Sequence, residues 1–284
     1  MIAITGASGQ LGRLVIQSLL KLVPASQLVA LVRKPDSVAD LAAQGVQVRQ
    51  ADYTQPDALE HALAGVDKLL LISSSEVGQR QVQHQNVVDA AKKSGVKLLA
   101  YTSLLHADTT PLGLAQEHLA TEAYIRASGL PFVFLRNGWY TENYLASVQP
   151  ALQHGAFIGS AEQGRIASAG RIDYADAAAA VLTKDAQAGK VYELAGDSAY
   201  TLAEFAAELS RQSGKTVPYV NLSEADFKGA LLGAGLPEGL AALLADSDVG
   251  ASKGGLFDDS RQLSQLIGRP TTALDVLMKA ALQG

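Results

Sequence analysis

Three glycines near the N-terminus have the spacing and the context of a phosphate-binding loop. They lie in TGASGQLG, residues 5–12, as Gly6-x-x-Gly9-x-x-Gly12, after a short apolar run and before a segment with leucines and valines at helical spacing. A strand–loop–helix unit of this kind points the backbone N–H groups of a helix N-terminus at a bound phosphate. The spacing differs from the simple G-x-G-x-x-G fingerprint, so a glycine-rich turn is the alternative.

One cation would decide which dinucleotide such a loop prefers. Arg33 stands at the end of the second apolar run, where NAD-binding proteins place a carboxylate on the ribose 2′-hydroxyl. An arginine fork matches a phosphate, whereas a carboxylate repels one. Arg33 therefore predicts a preference for NADP(H), and the alternative is a solvated surface arginine beside Lys34.

A parallel sheet would bring these residues together, and the pattern of the first half of the chain predicts one. Runs rich in Val, Leu and Ile alternate repeatedly with helical segments from the N-terminus onward. Such alternation is typical of an α/β fold in which helices cover both faces of a parallel sheet. Glycine follows four of the helical segments, where a left-handed residue commonly ends a helix. These are Gly45, Gly65, Gly95 and Gly129.

The composition argues against several other classes of function. The 284 residues include no cysteine, which excludes disulfides, thiolate metal sites and cysteine nucleophiles. The five histidines lack metal-ligand spacing, so no bound metal is expected. A formal charge of −5 without a long basic stretch argues against a nucleic-acid partner. Apolar runs far shorter than the roughly 20 residues of a membrane span, and no recognisable signal peptide, predict a cytoplasmic protein without membrane insertion.

As a set, the motifs resemble those of the NmrA-like branch of the atypical short-chain dehydrogenase/reductases. They are TGASGQLG, LVR, ADY, LLLISSSE, YTSLLHAD and LRNGWYTENY, followed by KVYELAGD, YTLAEFAAELS and ASKGGLFDDS. More narrowly, the chain is similar to bacterial NADPH-dependent quinone oxidoreductases of the second type. The resemblance implies a Rossmann-type doubly wound parallel sheet in residues 1–150, with a returning segment near residues 166–185. A smaller C-terminal α/β lobe would occupy mainly residues 151–284.

The resemblance also implies NADPH as cofactor, a small-molecule quinone as acceptor, and a set of cofactor-binding residues. The glycine loop would hold the pyrophosphate, Arg33 the 2′-phosphate, and three serines after the fourth strand the riboses, with hydroxyl and backbone donors. For those serines the alternative is a strand end that is merely rich in serine. The alternative for Asp52 is a helix-capping role near Thr54, and the alternative for Arg171 is a salt bridge on the surface. The implied cofactor-binding residues are Gly6, Ala7, Ser8, Gly9, Gln10, Leu11, Gly12, Arg33, Asp52, Ser73, Ser74, Ser75, Asn137, Gly138, Trp139 and Arg171.

The segment from Asn137 to Tyr144 is the richest candidate for the acceptor site. It contains the single tryptophan, two tyrosines and two asparagines, which offer stacking faces and amide donors. Tyr140 and Asn143 are expected nearest the acceptor, and the alternative is an aromatic plug between the two lobes. His118 is the third catalytic candidate, because it lies on the helix that carries the catalytic pair in relatives. A satisfied surface histidine is the alternative there.

The chain has no Tyr-x-x-x-Lys pair, and this absence limits the substrates that it could reduce. In ordinary short-chain reductases that lysine lowers the pKa of the tyrosine, which then protonates a developing alkoxide. A quinone instead yields a phenolate-like oxygen with a pKa of about 10, so solvent can supply the proton. Hydride transfer then depends on stacking the acceptor against the nicotinamide.

The sequence therefore predicts reduction of quinones by NADPH without flavin or metal. Two alternatives remain open. One is an NADP(H)-binding redox sensor of the NmrA type with little or no turnover. The other is a reductase or isomerase of a plant-type phenolic, which would need a catalytic lysine on the helix of His118. The sequence leaves the natural quinone and the oligomeric state undetermined.

Overall fold

The computed structural model describes residues 1–76 and 78–283, and its contacts divide the chain into two compact units. Unit 1 comprises Met1–Leu104, Gln116–Asn137 and Arg171–Tyr192. Unit 2 comprises Leu105–Ala115, Gly138–Gly170 and Glu193–Gly284. No helix within the described residues is both long enough and apolar enough to cross a membrane.

Within the described residues, nine strands form two sheets. The strands are β1 (Ile2–Ile4), β2 (Leu28–Val32), β3 (Gln47–Gln50), β4 (Lys68–Leu71), β5 (Leu98–Leu104), β6 (Phe132–Asn137), β7 (Phe157–Gly159), β8 (Lys190–Leu194) and β9 (Tyr219–Asn221). The larger sheet has the order β3-β2-β1-β4-β5-β6-β8, and its first six strands pair in parallel. The predicted doubly wound parallel sheet is confirmed. Its connection direction reverses between β1 and β4, which is where open α/β sheets bind ligands.

Helices flank this sheet in unit 1. They are α1 (Gln10–Leu20), α2 (Ala39–Ala43), α3 (Pro56–Ala62), α4 (Arg80–Lys93), α5 (Ala115–Ser128) and α8 (Arg171–Thr183). The alanine-rich α8 packs closely on α1, where Ser18 Oγ donates to Asp176 Oδ1 at 2.6 Å. The inner strands β1, β2, β4, β5 and β6 are buried almost throughout, and large side chains such as Tyr101 and Phe134 fill the core. This packing fixes the carboxyl ends of β1, β2 and β4 relative to one another.

Unit 2 has a small sheet and seven helices within the described residues. Its β7 and β9 pair in parallel. Its helices are α6 (Thr141–Leu145), α7 (Val148–His154), α9 (Leu202–Ser213), α10 (Glu224–Gly233), α11 (Glu238–Ser252), α12 (Gln262–Ile267) and α13 (Leu274–Gln283). Its aromatic core contains Phe157 and Phe205, whose ring centroids lie 4.9 Å apart, with Tyr144 and Tyr200 beside them.

Candidate functional site

The glycine loop turns sharply between β1 and α1. Gly6 has a φ of +58°, a left-handed conformation that favours glycine, and its carbonyl accepts a hydrogen bond from Gly9 N at 2.9 Å. A Cβ on Gly12 would lie 2.4 Å from Gly6 O and 2.8 Å from the Ala7 Cα. The first turn of α1 therefore packs directly on the loop backbone, and only glycine fits at position 12.

The N-terminus of α1 is open to an anion. Its N-cap is Gly9, no side chain caps it, and its first turn carries no acidic residue. The backbone N–H groups of a first helical turn have no partner within the helix, and they lie at the positive end of the helix dipole. Ser8 and Gln10 are exposed beside this turn, whereas Ala7 and Leu11 are buried under it. The loop is thus a preformed cradle for phosphate.

Arg33 follows β2 directly and carries an exposed guanidinium. Its Nη1 lies 3.4 Å from Oε1 of Glu76, a residue just beyond β4, and Glu76 Oε2 accepts from Gln83 Nε2 at 2.7 Å. Because β2 and β4 flank β1 in the sheet, this ion pair joins the loops on either side of the glycine loop. The motifs of the sequence gave no indication that Glu76 would pair with Arg33.

Asp52 and Arg33 line an open cavity of about 480 Å³ beside the edge strand β3 and α3. Asp52 Oδ1 accepts hydrogen bonds from N and Oγ1 of Thr54, each at 2.8 Å. These two bonds hold the pKa of Asp52 below its usual value. Thr54 does not cap α3, because the N-cap is Gln55 and no side chain caps it. Asp52 instead orders the turn that leads into this helix.

The serine segment emerges beside the glycine loop. Ile72 N donates to Thr5 Oγ1 at 2.9 Å, and the Ile72 Cβ lies 3.7 Å from where a Cβ on Gly6 would be. Two of the expected backbone donors are already engaged. Ser73 N donates to Thr102 Oγ1 at 2.8 Å, and Ser74 N donates to His84 Nε2 at 2.9 Å. The expectation of free backbone donors at these two serines was wrong, since neighbouring side chains satisfy them.

His118 is buried, so the alternative of a surface histidine was wrong. Its Nδ1 lies 2.8 Å from the hydroxyl of Tyr101, which is fully buried. Burial lowers the pKa of His118 to about 3, and the positive charge of Arg80 adds to this effect. The ring is therefore neutral near pH 7 and is paired inside unit 1.

The segment after β6 divides between the two units. In unit 1, Asn137 is 6% exposed, and its Oδ1 has no hydrogen-bond partner within residues 1–76 and 78–283. A buried amide oxygen without a partner is costly, and a bound molecule could satisfy it. Arg171, also in unit 1, is the first residue of α8 and is half-buried.

The remaining candidates of this segment lie in unit 2. Gly138 N donates to Leu194 O at 2.7 Å, and the Trp139 ring lies 6.3 Å from that of Tyr144. Tyr144 is buried in the aromatic core of unit 2, whereas Tyr140 and Asn143 are half-buried. Tyr140 is the N-cap residue of α6, so it stands where the chain turns into that helix.

Several features of unit 1 suit a bound dinucleotide. The open N-terminus of α1, the contact of Gly12 with the loop backbone and the orphaned oxygen of Asn137 all suit a phosphorylated, hydrogen-bonding ligand. Among the described residues no group of three His, Asp or Glu side chains is placed to hold a metal ion.

Known proteins match this chain along its whole length. Residues 6–185 match the model of a family described as NAD(P)H-binding. Quinone oxidoreductase 2 of Escherichia coli K12 is 67% identical over 274 residues, which are 96% of this chain and 96% of that protein.

Two solved structures are also close to this one. An NADPH-dependent quinone oxidoreductase from Escherichia coli, complexed with NADPH, has a TM-score of 0.97 and 65% identity, and covers 99% of this chain and 100% of its own. Triphenylmethane reductase of Citrobacter sp., complexed with NADP(H), has a TM-score of 0.93 and 42% identity, and covers 100% of this chain and 99% of its own. The chain therefore belongs to the NAD(P)H-binding family, in agreement with the NmrA-like resemblance of its motifs.

Proposed function

We propose that this protein reduces quinones with NADPH by direct hydride transfer, without flavin or metal. The observation that carries the proposal is the phosphate cradle of the glycine loop. It lies at the carboxyl end of β1, next to β4, where the direction of the strand connections reverses. There α1 begins without a side-chain cap, and Gly12 leaves no room for a side chain. The 67% identity to quinone oxidoreductase 2 supports the same acceptor class. We expect the reaction in the cytoplasm.

Residues of unit 1 would hold most of the cofactor. The glycine loop, residues 6–12, would hold the pyrophosphate through the N–H groups at the start of α1, and Arg33 would bind the 2′-phosphate. The hydroxyls of Ser73 and Ser75 would serve a ribose, and the orphaned Asn137 Oδ1 would accept a donor from the bound cofactor. Asp52, Ser74, Gly138, Trp139 and Arg171 complete the proposed set. When bound, NADPH supplies the hydride.

The chain's own side chains leave proton delivery to solvent. The buried Tyr101 contacts His118, and burial raises the pKa of its hydroxyl, so it is a poor proton donor to an acceptor outside the core. Helix α5 contains no lysine that could lower that pKa. A reduced quinone oxygen has the basicity of a phenolate, so water can protonate it. A quinone therefore suits this site better than a simple ketone.

We assign the acceptor contacts to Tyr140 and Asn143 of unit 2. Both are half-buried, whereas Tyr144 is buried in the aromatic core. Tyr140→Ala and Asn143→Ala should each change the kcat/KM for quinone more than the Kd for NADPH. If each variant instead loses stability without a separate kinetic effect, both side chains serve the packing of unit 2.

Steady-state oxidation of NADPH with a panel of small quinones tests the function. We expect turnover by purified protein that contains no flavin and no metal. Tight binding of NADP(H) with negligible turnover across the panel would favour the redox sensor.

A further inference from the structure

Helix α4 presents buried polar side chains to the serine segment, and the proposed function leaves them without a role. We propose that His84 and Arg80 are positioning residues, which hold Ser74 and thereby set the shape of residues 73–75 for the cofactor. This inference rests on the proposed function, because it takes the serine segment as part of the NADPH site.

His84 holds the N–H group of Ser74. Its Nε2 accepts that hydrogen bond at 2.9 Å, so the proton of the neutral ring is on Nδ1. Nδ1 lies 2.9 Å from Oγ1 of Thr121, which donates onward to the Glu117 carbonyl at 3.0 Å. Burial, with the nearby Arg80 charge, lowers the pKa of His84 to about 3. The ring therefore remains an acceptor for Ser74 throughout the neutral range.

Arg80 holds the carbonyl of the same residue. Its Nε donates to Ser74 O, and its Nη1 lies 3.2 Å from Oε2 of Glu117. Glu117 Oε1 accepts from Gly78 N at 2.7 Å, so the far end of the loop is tied to the same carboxylate. Both backbone polar groups of Ser74 are thus bonded to side chains of one helix.

This arrangement is unusual for a loop, because loop backbone is commonly satisfied by water. Arg80 is 6% exposed and His84 is 1% exposed, so their desolvation is costly. A buried ion pair such as Arg80–Glu117 is weak support for stability alone. The effect of these bonds is instead to fix the position of Ser74. Ile72, two residues earlier, contacts the glycine loop, so fixing Ser74 also fixes the serine segment beside that loop.

The test compares two substitutions at one position. In His84→Leu the Ser74 N–H loses its acceptor, whereas in His84→Gln an amide oxygen can replace Nε2. We expect His84→Leu to raise the Kd and the KM for NADPH about tenfold while the KM for quinone stays the same. His84→Gln should recover most of the NADPH affinity. His154→Leu, an exposed histidine at the end of α7, is the matched control and should leave both constants unchanged.

Hydrogen exchange distinguishes positioning from general stability. Exchange of the Ser73–Glu76 amides should become faster in His84→Leu and return toward the wild-type rate in His84→Gln. The inference is overturned if His84→Leu keeps the wild-type NADPH affinity. It is also overturned if both His84 variants lose affinity and melting temperature in parallel while exchange rises throughout unit 1.

A second variant covers the case in which His84→Leu does not fold, and a binding measurement separates this inference from the proposed function. If His84→Leu does not fold, Arg80→Lys is measured instead. It retains the charge near Glu117 but cannot hold both partners, so NADPH should bind about threefold to tenfold more weakly. Unchanged binding in Arg80→Lys would contradict the inference. NADPH binding without quinone turnover in the wild type would count against the proposed function alone, because the Kd comparison needs no turnover.

Discussion

Arg33 has two possible anionic partners at the edge of the proposed site. The carboxylate of Glu76 lies 3.4 Å away, and both side chains are largely exposed. Exposed ion pairs contribute about 0–1 kcal/mol, whereas a hydrogen bond to a charged group contributes about 1.5–3 kcal/mol. A bound 2′-phosphate should therefore displace Glu76 from Arg33.

Removal of Arg33 should affect one nucleotide selectively. Arg33→Ala is expected to weaken NADPH binding by about tenfold to a hundredfold. NADH should bind nearly as before, because it has no 2′-phosphate. Arg33→Asp should reverse the preference, since a carboxylate accepts the 2′-hydroxyl of NADH and repels the phosphate. Titration of both nucleotides against the three proteins measures this, and an equal loss of both affinities in Arg33→Ala would contradict it.

Removal of Glu76 should act in the opposite direction. Glu76→Gln abolishes the competing charge, so we expect NADPH to bind about twofold to fivefold more tightly, with NADH unaffected. Glu60→Gln removes a carboxylate of α3 that pairs with Lys93 of α4 rather than with Arg33, and it serves as control. Fluorescence titration at low salt gives both constants. An identical NADPH affinity in Glu76→Gln and wild type would show that Glu76 does not compete.

The proposed binding residues that are defined by local spacing could be predicted from the sequence, whereas contacts between residues far apart in the sequence could not. The glycine loop and Arg33 were identifiable because a few neighbouring positions define them. The ties of Ser74 to His84 and of Gly78 to Glu117 depend on which helices pack beneath the loop. One feature of α4 does indicate that its first residues have buried partners. The positions 80, 83, 84, 87, 88 and 91 lie on one buried stripe of the helix, and the first three of them are polar.

The start of α1 is the element on which the proposed cofactor binding depends. In Gly12→Ala the added Cβ would meet backbone atoms at 2.4 and 2.8 Å, so the loop or the helix must shift. We expect the free energy of unfolding to fall by about 1–3 kcal/mol and NADPH affinity to be largely lost. Gly229→Ala in α10 meets no atom within 4 Å and should slightly stabilise the protein. Thermal melts and NADPH titration test both, and wild-type behaviour of Gly12→Ala would contradict the packing argument.

Helix ends were the most predictable feature at the scale of elements. A capping box of Thr201 and Glu204 begins α9, and Ser223 caps α10. The four glycines expected after helical segments all have positive φ. Both features depend on a few adjacent residues, so sequence alone identifies them. The predicted helix after β2 is instead a 3-10 turn at Pro35–Val38 followed by the short α2, because local propensity does not fix helix length.

One buried carboxylate in unit 2, Asp248, should make the stability of the whole molecule depend on pH. Asp248 accepts hydrogen bonds from Tyr144 Oη at 2.9 Å and from Ser160 N at 2.8 Å. Burial nevertheless raises the pKa of Asp248 to about 6, although these bonds oppose the shift. The folded state therefore favours the protonated acid. The stabilisation from the protonated Asp248 is fully present below the pKa that this carboxyl has in the unfolded chain. It is lost as the pH rises through about 6, the pKa in the folded protein.

Asp248→Asn should remove this dependence, because the amide cannot ionise. The free energy of unfolding of the wild type, relative to Asp248→Asn, should fall by about 2 kcal/mol between pH 4 and pH 7. Urea unfolding of both proteins at several pH values measures the difference. Parallel pH profiles for the two proteins would show that Asp248 does not titrate in this range.

Hydride transfer from NADPH to a quinone is the central claim, and one kinetic comparison tests it most directly. Flavin-free protein is mixed with a quinone and with either NADPH or NADPH deuterated at the transferred position of C4. We predict quinone-dependent loss of the reduced nicotinamide absorbance, with a slower rate for the deuterated cofactor. A bound NADPH whose absorbance is unchanged by every quinone would contradict the account.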